Sequence, residues 1–212
     1  EFPHLVELVD GALFDTIYHE HFSYLSLCAV ERILGRAGLS VFDVERLPTH
    51  GGSLRVFASV TGAGERSRTA AVERMIDDER SRGVENASYY RGFQAAADRI
   101  KNDLLAFLVE EARAGRRVVG YGAAAKGNTL LNYAGVRGDL LRYVVDNNPA
   151  KQETFLPGSR IPVVAEEFLT LDRPDRVLVL PWNLRDEVVD RLGAIGFPSR
   201  DVLTAVPALT IG

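Results

Sequence analysis

The stretch Val118-Val119-Gly120-Tyr121-Gly122-Ala123-Ala124-Ala125-Lys126-Gly127-Asn128 decides the fold. An apolar run ends in two closely spaced glycines, and residues that favour helix follow it. This order predicts a buried strand over residues 118–122, a tight loop, and a helix that reaches about residue 133. Short buried strands that alternate with helices predict an α/β fold with a parallel sheet. Further strands are predicted at residues 141–146, 177–180 and 202–205, with a helix over residues 185–194.

The loop between this strand and this helix is a candidate anion site. A helix N-terminus carries partial positive charge and free N–H groups, and Lys126 in the first turn adds a full charge. The spacing Gly-x-Gly-x-x-x-x-Gly departs from the dinucleotide fingerprint Gly-x-Gly-x-x-Gly, so a nucleoside diphosphate is favoured over NAD. Asp146 closes the next strand, where such folds often place a ribose-binding carboxylate. The alternative is that the glycines only form a turn and that Asp146 caps the turn Asn147-Asn148-Pro149.

The part of the chain before this domain has a different pattern. Residues 1–23 are predicted to be irregular or rich in turns, and a helix over residues 25–37 is ended by Gly38. Strands over residues 39–47 and 53–60 are predicted to pair as an antiparallel hairpin. Glycines in Thr61-Gly62-Ala63-Gly64 indicate a domain boundary, and helices are predicted over residues 67–82 and 88–114. The predicted domains are residues 1–62, a helical linker at 63–115, and residues 116–212.

The stretch Tyr18-His19-Glu20-His21-Phe22-Ser23-Tyr24 is the densest in reactive groups. Either histidine is a candidate base near neutral pH, and the alternatives are a structural role or zinc binding by His19 and His21. Zinc needs a third ligand, and the other histidines are His4 and His50. The stretch His50-Gly51-Gly52-Ser53-Leu54-Arg55 is interpreted as the hairpin turn; the alternative is that it presents Arg55 to an anion.

Composition limits the possible partners and locations. The formal net charge of −4 gives no reason to expect nucleic acid, and no apolar run approaches the roughly 20 residues that span a bilayer. The single cysteine, Cys28, excludes an internal disulfide and fits a cytoplasmic protein. No signal peptide is recognisable, and the start at Glu1 without methionine suggests a fragment of a longer chain.

Five motifs that occur in one order closely resemble those of the deoxysugar C-methyltransferases. These enzymes use S-adenosylmethionine to methylate a carbon of a nucleotide-linked keto-sugar, in pathways such as antibiotic biosynthesis. The resemblance covers essentially the whole chain. The motifs are the stretch from Phe14 to Tyr24, His50-Gly51-Gly52-Ser53-Leu54-Arg55, the glycine-rich stretch from Gly120 to Asn128, Asp146-Asn147-Asn148-Pro149-Ala150-Lys151, and Leu156-Pro157-Gly158-Ser159-Arg160-Ile161-Pro162.

The resemblance implies a domain arrangement. The family has an N-terminal zinc-binding module, a central class I methyltransferase domain and a C-terminal Rossmann-like domain. Residues 1–62 would be the last portion of the central domain, a helix plus an antiparallel hairpin. The loop that holds S-adenosylmethionine and the zinc-binding cysteines would lie in the remainder of the methyltransferase chain, so the fragment alone is expected to be inactive, with no metal site of its own.

The resemblance also implies roles for particular residues. Tyr18, Glu20 and His21 would be catalytic, with His21 as the base. The substrate would be a nucleotide-diphosphate sugar, expected to be dTDP-linked. An alternative is a non-catalytic module that only binds a nucleotide-sugar. The substrate-binding residues would be Gly122, Ala123, Lys126, Gly127, Asn128, Asp146, Asn183 and Arg55.

Overall fold

The computed structural model of the chain describes residues 1–62 and 66–212. Residues 63 and 64 of the predicted boundary lie outside the described residues, and so does the start of the predicted linker. The described residues form two compact units. Unit 1 comprises Glu1–Leu13 and Glu20–Gln94, and unit 2 comprises Phe14–His19 and Ala95–Gly212. The three-part division at residues 62 and 115 stays a prediction.

Unit 1 combines helices with a small antiparallel sheet. In its described part, three strands lie in the order β1-β3-β2, and α2 and α3 pack against β2. Leu27, Leu54, Val72 and Ile76 are at the centre of the core. The elements are β1 (Phe2–Pro3), α1 (Leu5–Asp10), α2 (Leu27–Arg36), β2 (Leu39–Leu47), β3 (Ser53–Val60) and α3 (Ala70–Arg82).

The predicted hairpin is confirmed with its predicted bounds. Leu39 pairs with Val60 and Leu47 with Ser53, in antiparallel register. Before the hairpin, α2 begins after Ser26, whose Oγ accepts the N–H of Ala29 at 3.1 Å. The N-terminal stretch that was predicted to be irregular or turn-rich also contains α1 and a 3₁₀ turn at Phe14–Thr16, which were not predicted. These elements are too short to produce a helical repeat of apolar residues.

A buried carboxylate from α3 holds the start of α2. Glu79 is fully buried, and its Oε1 lies 2.8 Å from Nε2 of the equally buried His4. Oε1 also accepts the N–H of Leu27 at 2.6 Å, and Oε2 accepts the N–H of Cys28 at 2.8 Å. Burial alone would raise the pKa of Glu79, but the hydrogen bonds from His4 and the two amides outweigh it and hold this pKa below its ordinary value.

Unit 2 is an α/β domain with a mostly parallel sheet, as predicted. Across its described residues, seven strands lie in the order β10-β9-β8-β4-β5-β7-β6. The five central strands are parallel, and β10 and β6 are antiparallel edge strands. The elements are α4 (Phe93–Arg113), β4 (Val118–Tyr121), α5 (Ala125–Ala134), β5 (Val144–Val145), β6 (Thr154–Phe155), β7 (Pro162–Val164), α6 (Phe168–Asp172), β8 (Arg176–Val179), α7 (Arg185–Ala194), β9 (Val202–Thr204) and β10 (Thr210–Ile211).

Two glycines of the fold-deciding stretch are required by packing rather than by backbone conformation. A Cβ on Gly120 would lie 2.8 Å from Val144 Cγ2, and one on Gly127 would lie 2.5 Å from Leu180 Cβ. Gly122, between them, has a positive φ of 86°. The stretch therefore brings β4 and α5 closer to their neighbours than any side chain would allow.

No helix in the described residues is both long enough and apolar enough to cross a membrane.

Candidate functional site

Unit 2 contains a cleft where its central strands end. The cleft has a volume of about 350 Å³, and Gly122, Asp146 and Pro181 line it just after β4, β5 and β8. Open α/β sheets bind ligands at the carboxyl ends of their strands, where the chain changes its direction of travel across the sheet. In unit 2 this change lies at β4, because β5 flanks it on one side and β8 on the other. The two cations that line the cleft are Lys151 and Arg191.

Asp146 closes the glycine-rich loop. Its Oδ2 accepts the N–H of Ala123 at 2.8 Å, and its Oδ1 accepts the N–H of Asn148 at 2.8 Å. Lys151 Nζ lies 3.3 Å from Oδ2 and donates to the carbonyl of Ala123 at 2.9 Å. Of the alternatives left open by the sequence, this geometry matches the capping interpretation of Asp146. A contact between Asp146 and a ribose stays a prediction.

Lys126 and Asn183, both predicted substrate-binding residues, bond to each other. Lys126 is 6% exposed, and its Nζ donates to Asn183 Oδ1 at 2.7 Å. The ammonium also lies 4.5 Å from the ring centroid of Trp182, a cation–π arrangement. Burial lowers the pKa of Lys126, and the negative charge of Asp15 opposes that change. Lys126 is therefore held in a buried cluster and is not among the residues that line the cleft.

Asp15 completes this cluster, and it is not among the predicted site residues. It has no solvent exposure, and its Oδ2 accepts the Trp182 Nε1–H at 2.7 Å. Its Oδ1 has no hydrogen-bond partner among the described residues. Burial raises the pKa of Asp15 to about 6, although Trp182 and Lys126 both act in the opposite direction. The one sequence signal is that Asp15 lies in the dense stretch from Phe14 to Tyr24; nothing local links it to Trp182.

The other predicted loop residues have packing roles. Gly127 lies against Leu180, as described above, and Asn128 accepts hydrogen bonds from the side chain of Asn132 through its carbonyl (2.8 Å) and its Oδ1 (3.2 Å). Ala123 provides the amide that Asp146 holds. Their contacts with a substrate stay predictions.

Unit 1 has its own cavity, of about 470 Å³, and part of the predicted catalytic element lines it. Glu20, His21, Phe22, His50 and Ser53 line it. The His21 and His50 rings are 6.1 Å apart between centroids, and their planes meet at 80°. Phe22 is 92% exposed, so an apolar ring lies beside the imidazoles with little protein around it. The structure thus brings Glu20 and His21 into one cavity, whereas Tyr18 belongs to unit 2.

The turn that carries His50 has an unusual backbone. His50, Gly51 and Gly52 have φ values of 57°, 90° and 126°. A residue with a side chain costs about 1 kcal/mol or more in the left-handed region. Gly52 is also tightly packed, because a Cβ there would lie 2.6 Å from Glu7 Cγ. The glycines therefore serve the hairpin turn, as predicted.

Arg55 extends from β3 and is paired with acidic side chains. Its guanidinium lies 3.0 Å from Glu1 Oε2 and 3.4 Å from Glu45 Oε2. Any contact with an anionic ligand would compete with these carboxylates, and its substrate-binding role stays a prediction.

Neither a metal site nor the main S-adenosylmethionine site is predicted in this chain. Within residues 1–62 and 66–212, no three or more His, Cys, Asp and Glu side chains are grouped as a metal site would need. That S-adenosylmethionine is held by residues outside this chain stays a prediction.

Comparison with known proteins identifies the class. Residues 48–207 match the family described as C-methyltransferase C-terminal domain, and the chain belongs to that family. It is also similar to the C-methyltransferase NovU of Streptomyces niveus, with 39% identity over 190 residues. That alignment covers 90% of this chain and 45% of NovU, so the chain spans less than half the length of this relative. The predicted resemblance to C-methyltransferases is confirmed.

Proposed function

We propose that this chain is the C-terminal part of an S-adenosylmethionine-dependent methyltransferase. Its substrate would be a nucleotide-linked deoxysugar, in the cytoplasm, and the methylated atom would be a carbon next to the keto group. The observation that carries the proposal is that His21 and Glu20 line an open cavity in a chain of the C-methyltransferase family. S-adenosylmethionine would supply the methyl group, and residues outside this chain would hold it, so we expect the chain alone to be inactive.

His21 would act as the base. A carbon next to a carbonyl becomes nucleophilic only after it loses a proton, so a base must reach that C–H bond. As the proton moves to the imidazole, the electron pair of the C–H bond becomes the enolate, whose oxygen needs a donor. The hydroxyl of Tyr18 would be that donor, and Glu20 would orient the imidazole. Positioning of the reacting carbon supplies much of the remaining acceleration.

The cleft of unit 2 would hold the nucleotide diphosphate. Support comes from its location at the strand ends and from the Lys151 ammonium, which is 43% exposed and faces the glycine-rich loop. A phosphate there would replace contacts that Lys151 now makes with Asp146 and Ala123. Lys126 would attract the phosphates through its positive charge. It would bind them directly if its Nζ left Asn183 Oδ1 and donated to a phosphate oxygen instead.

The catalytic role is tested by His21→Ala in the full-length protein. We expect turnover to fall at least about a hundredfold, the usual contribution of a positioned base, with the nucleotide-sugar affinity nearly unchanged. His19→Ala is the matched control, because it removes an exposed imidazole from the same element. Unaltered turnover in His21→Ala would sink the assigned role and favour the alternative of a non-catalytic binding module.

The binding role is tested by calorimetric titration of the chain with dTDP. Lys151→Ala should weaken binding several-fold, because a charge-assisted hydrogen bond to phosphate is lost, and Lys126→Ala should weaken it as well. Lys101→Ala, which removes a cation from α4, is the control. If the folded chain binds no nucleoside diphosphate saturably, the phosphate site is wrong.

A further inference from the structure

His50 lies in the cavity that contains His21, yet the mechanism above gives it no part. Its ring meets the His21 ring edge to face, with 6.1 Å between centroids. The two imidazoles come from distant points of the sequence, one from the Tyr-His-Glu-His element and one from the hairpin turn. The fold of unit 1 therefore assembles a second imidazole beside the proposed base.

His50 has a left-handed backbone conformation within the turn. Three successive residues have positive φ, and only His50 among them carries a side chain. Glycine or asparagine would occupy this conformation with less strain. The turn is fixed independently of the imidazole, since the Gly52 N–H and the Ser53 Oγ–H both donate to the carbonyl of Thr49.

The cavity has the composition of a sugar subsite. Imidazole and carboxylate groups come from His50 and Glu20, and the rings of Phe2 and Phe22 also line it. A sugar ring presents hydroxyl groups around its rim and C–H groups on its faces. Polar side chains match the first, and aromatic rings match the second.

We propose that His50 is a substrate-binding residue that hydrogen-bonds to an oxygen of the sugar ring in the cavity it shares with His21. The inference rests on the proposed function and deepens it, because it identifies the part of the substrate that this turn recognises. The imidazole would hold the ring so that its acidic C–H faces His21. A role in the turn alone would predict no such contact.

The test compares two ligands and two variants in the full-length protein. His50→Gly and His50→Asn both suit a left-handed backbone, so thermal unfolding should occur at the wild-type temperature or above it. Each variant should bind the dTDP-sugar about tenfold more weakly, the effect of one lost hydrogen bond, while affinity for dTDP alone stays unchanged. Catalytic efficiency should fall in parallel. Added imidazole should restore part of it in His50→Gly, a response that a purely structural role would not give.

Wild-type sugar affinity and catalytic efficiency in both variants would overturn the inference, and so would an equal loss of affinity for dTDP alone. His21→Ala in the same assay separates this failure from that of the proposed function. If His21→Ala is inactive while His50→Gly is fully active, only the role of His50 is wrong. If both are fully active, the proposed catalytic site itself is wrong.

Discussion

Two carboxylates, one in each unit, are equally buried and yet differ in the direction of their pKa. Glu79 and Asp15 both have no solvent exposure. Glu79 accepts hydrogen bonds from His4 and from the first two amides of α2, and its pKa is lowered. Asp15 accepts one hydrogen bond from Trp182, and its pKa is raised to about 6.

The difference shows that burial does not by itself determine how a carboxylate behaves. Removal from water disfavours the charged form at both sites. At Glu79, several donors replace the hydrogen bonds that water would make to the carboxylate, so the charge stabilises unit 1. At Asp15, the indole N–H and the more distant Lys126 compensate only partly for the loss of water. The charged form of Glu79 therefore stabilises the fold, whereas the charged form of Asp15 destabilises it.

The largest loss of stability is expected for Glu79→Gln. The glutamine amide turns a donor toward His4 or toward the α2 amides, so buried donors lose their acceptor. We expect a loss of about 4 kcal/mol in the free energy of unfolding, measured by denaturant titration at pH 7. Asp77→Asn, an exposed change on the same helix, should stay within about 0.5 kcal/mol. A small loss in Glu79→Gln would remove the distinction between the two carboxylates.

Asp15 should make the free energy of unfolding depend on pH in the direction opposite to that expected for Glu79. A raised native pKa means that folding favours the protonated form, so this group lowers stability as pH rises from about 4 to about 6. The shift from 3.8 to about 6 corresponds to about 3 kcal/mol at neutral pH. Asp15→Asn should therefore be more stable than wild type at pH 7, and the advantage should vanish near pH 4. Denaturation of both proteins across this range gives the difference directly.

The pKa values of Glu79 and Glu111 are lowered, so these groups stabilise the fold at neutral pH. This stabilisation is lost as the pH falls through their native pKa values. They contribute equally to wild type and to Asp15→Asn, so the difference between the two curves isolates Asp15. A difference that does not change with pH would contradict a raised pKa.

The smallest effect is expected for Trp182→Phe. It removes the indole donor to Asp15 while it keeps an aromatic ring beside Lys126. We expect a loss of about 1 to 2 kcal/mol at pH 7, and a smaller one near pH 4, where the carboxyl is neutral. The control is Tyr89→Phe, which removes a 2.7 Å bond to the exposed carboxylate of Asp10 and should cost less. Equal losses in the two variants at both pH values would show that the indole donor has no special importance.

Elements in which one local pattern is long enough have the bounds that the sequence predicts. The hairpin strands at residues 39–47 and 53–60 and the helix at residues 185–194 have their predicted bounds. The elements β6, β7 and α6, which are two to five residues long, were not predicted. The strands β6 and β7 exist because neighbouring strands supply their hydrogen bonds. In all three elements, a periodicity cannot be read from so few residues.

The sequence by itself determined the family, the α/β alternation of unit 2, and the concentration of acid–base groups between Tyr18 and His21. Tertiary structure decided which partners those groups receive. Lys126 meets Asn183 across 57 residues of sequence, and Asp15 meets Trp182 across 167. It also decided that Glu79 is well supplied with donors and that His50 joins His21. Residue type and spacing determine what a side chain can do, but burial and long-range hydrogen bonds determine its charge and its accessibility.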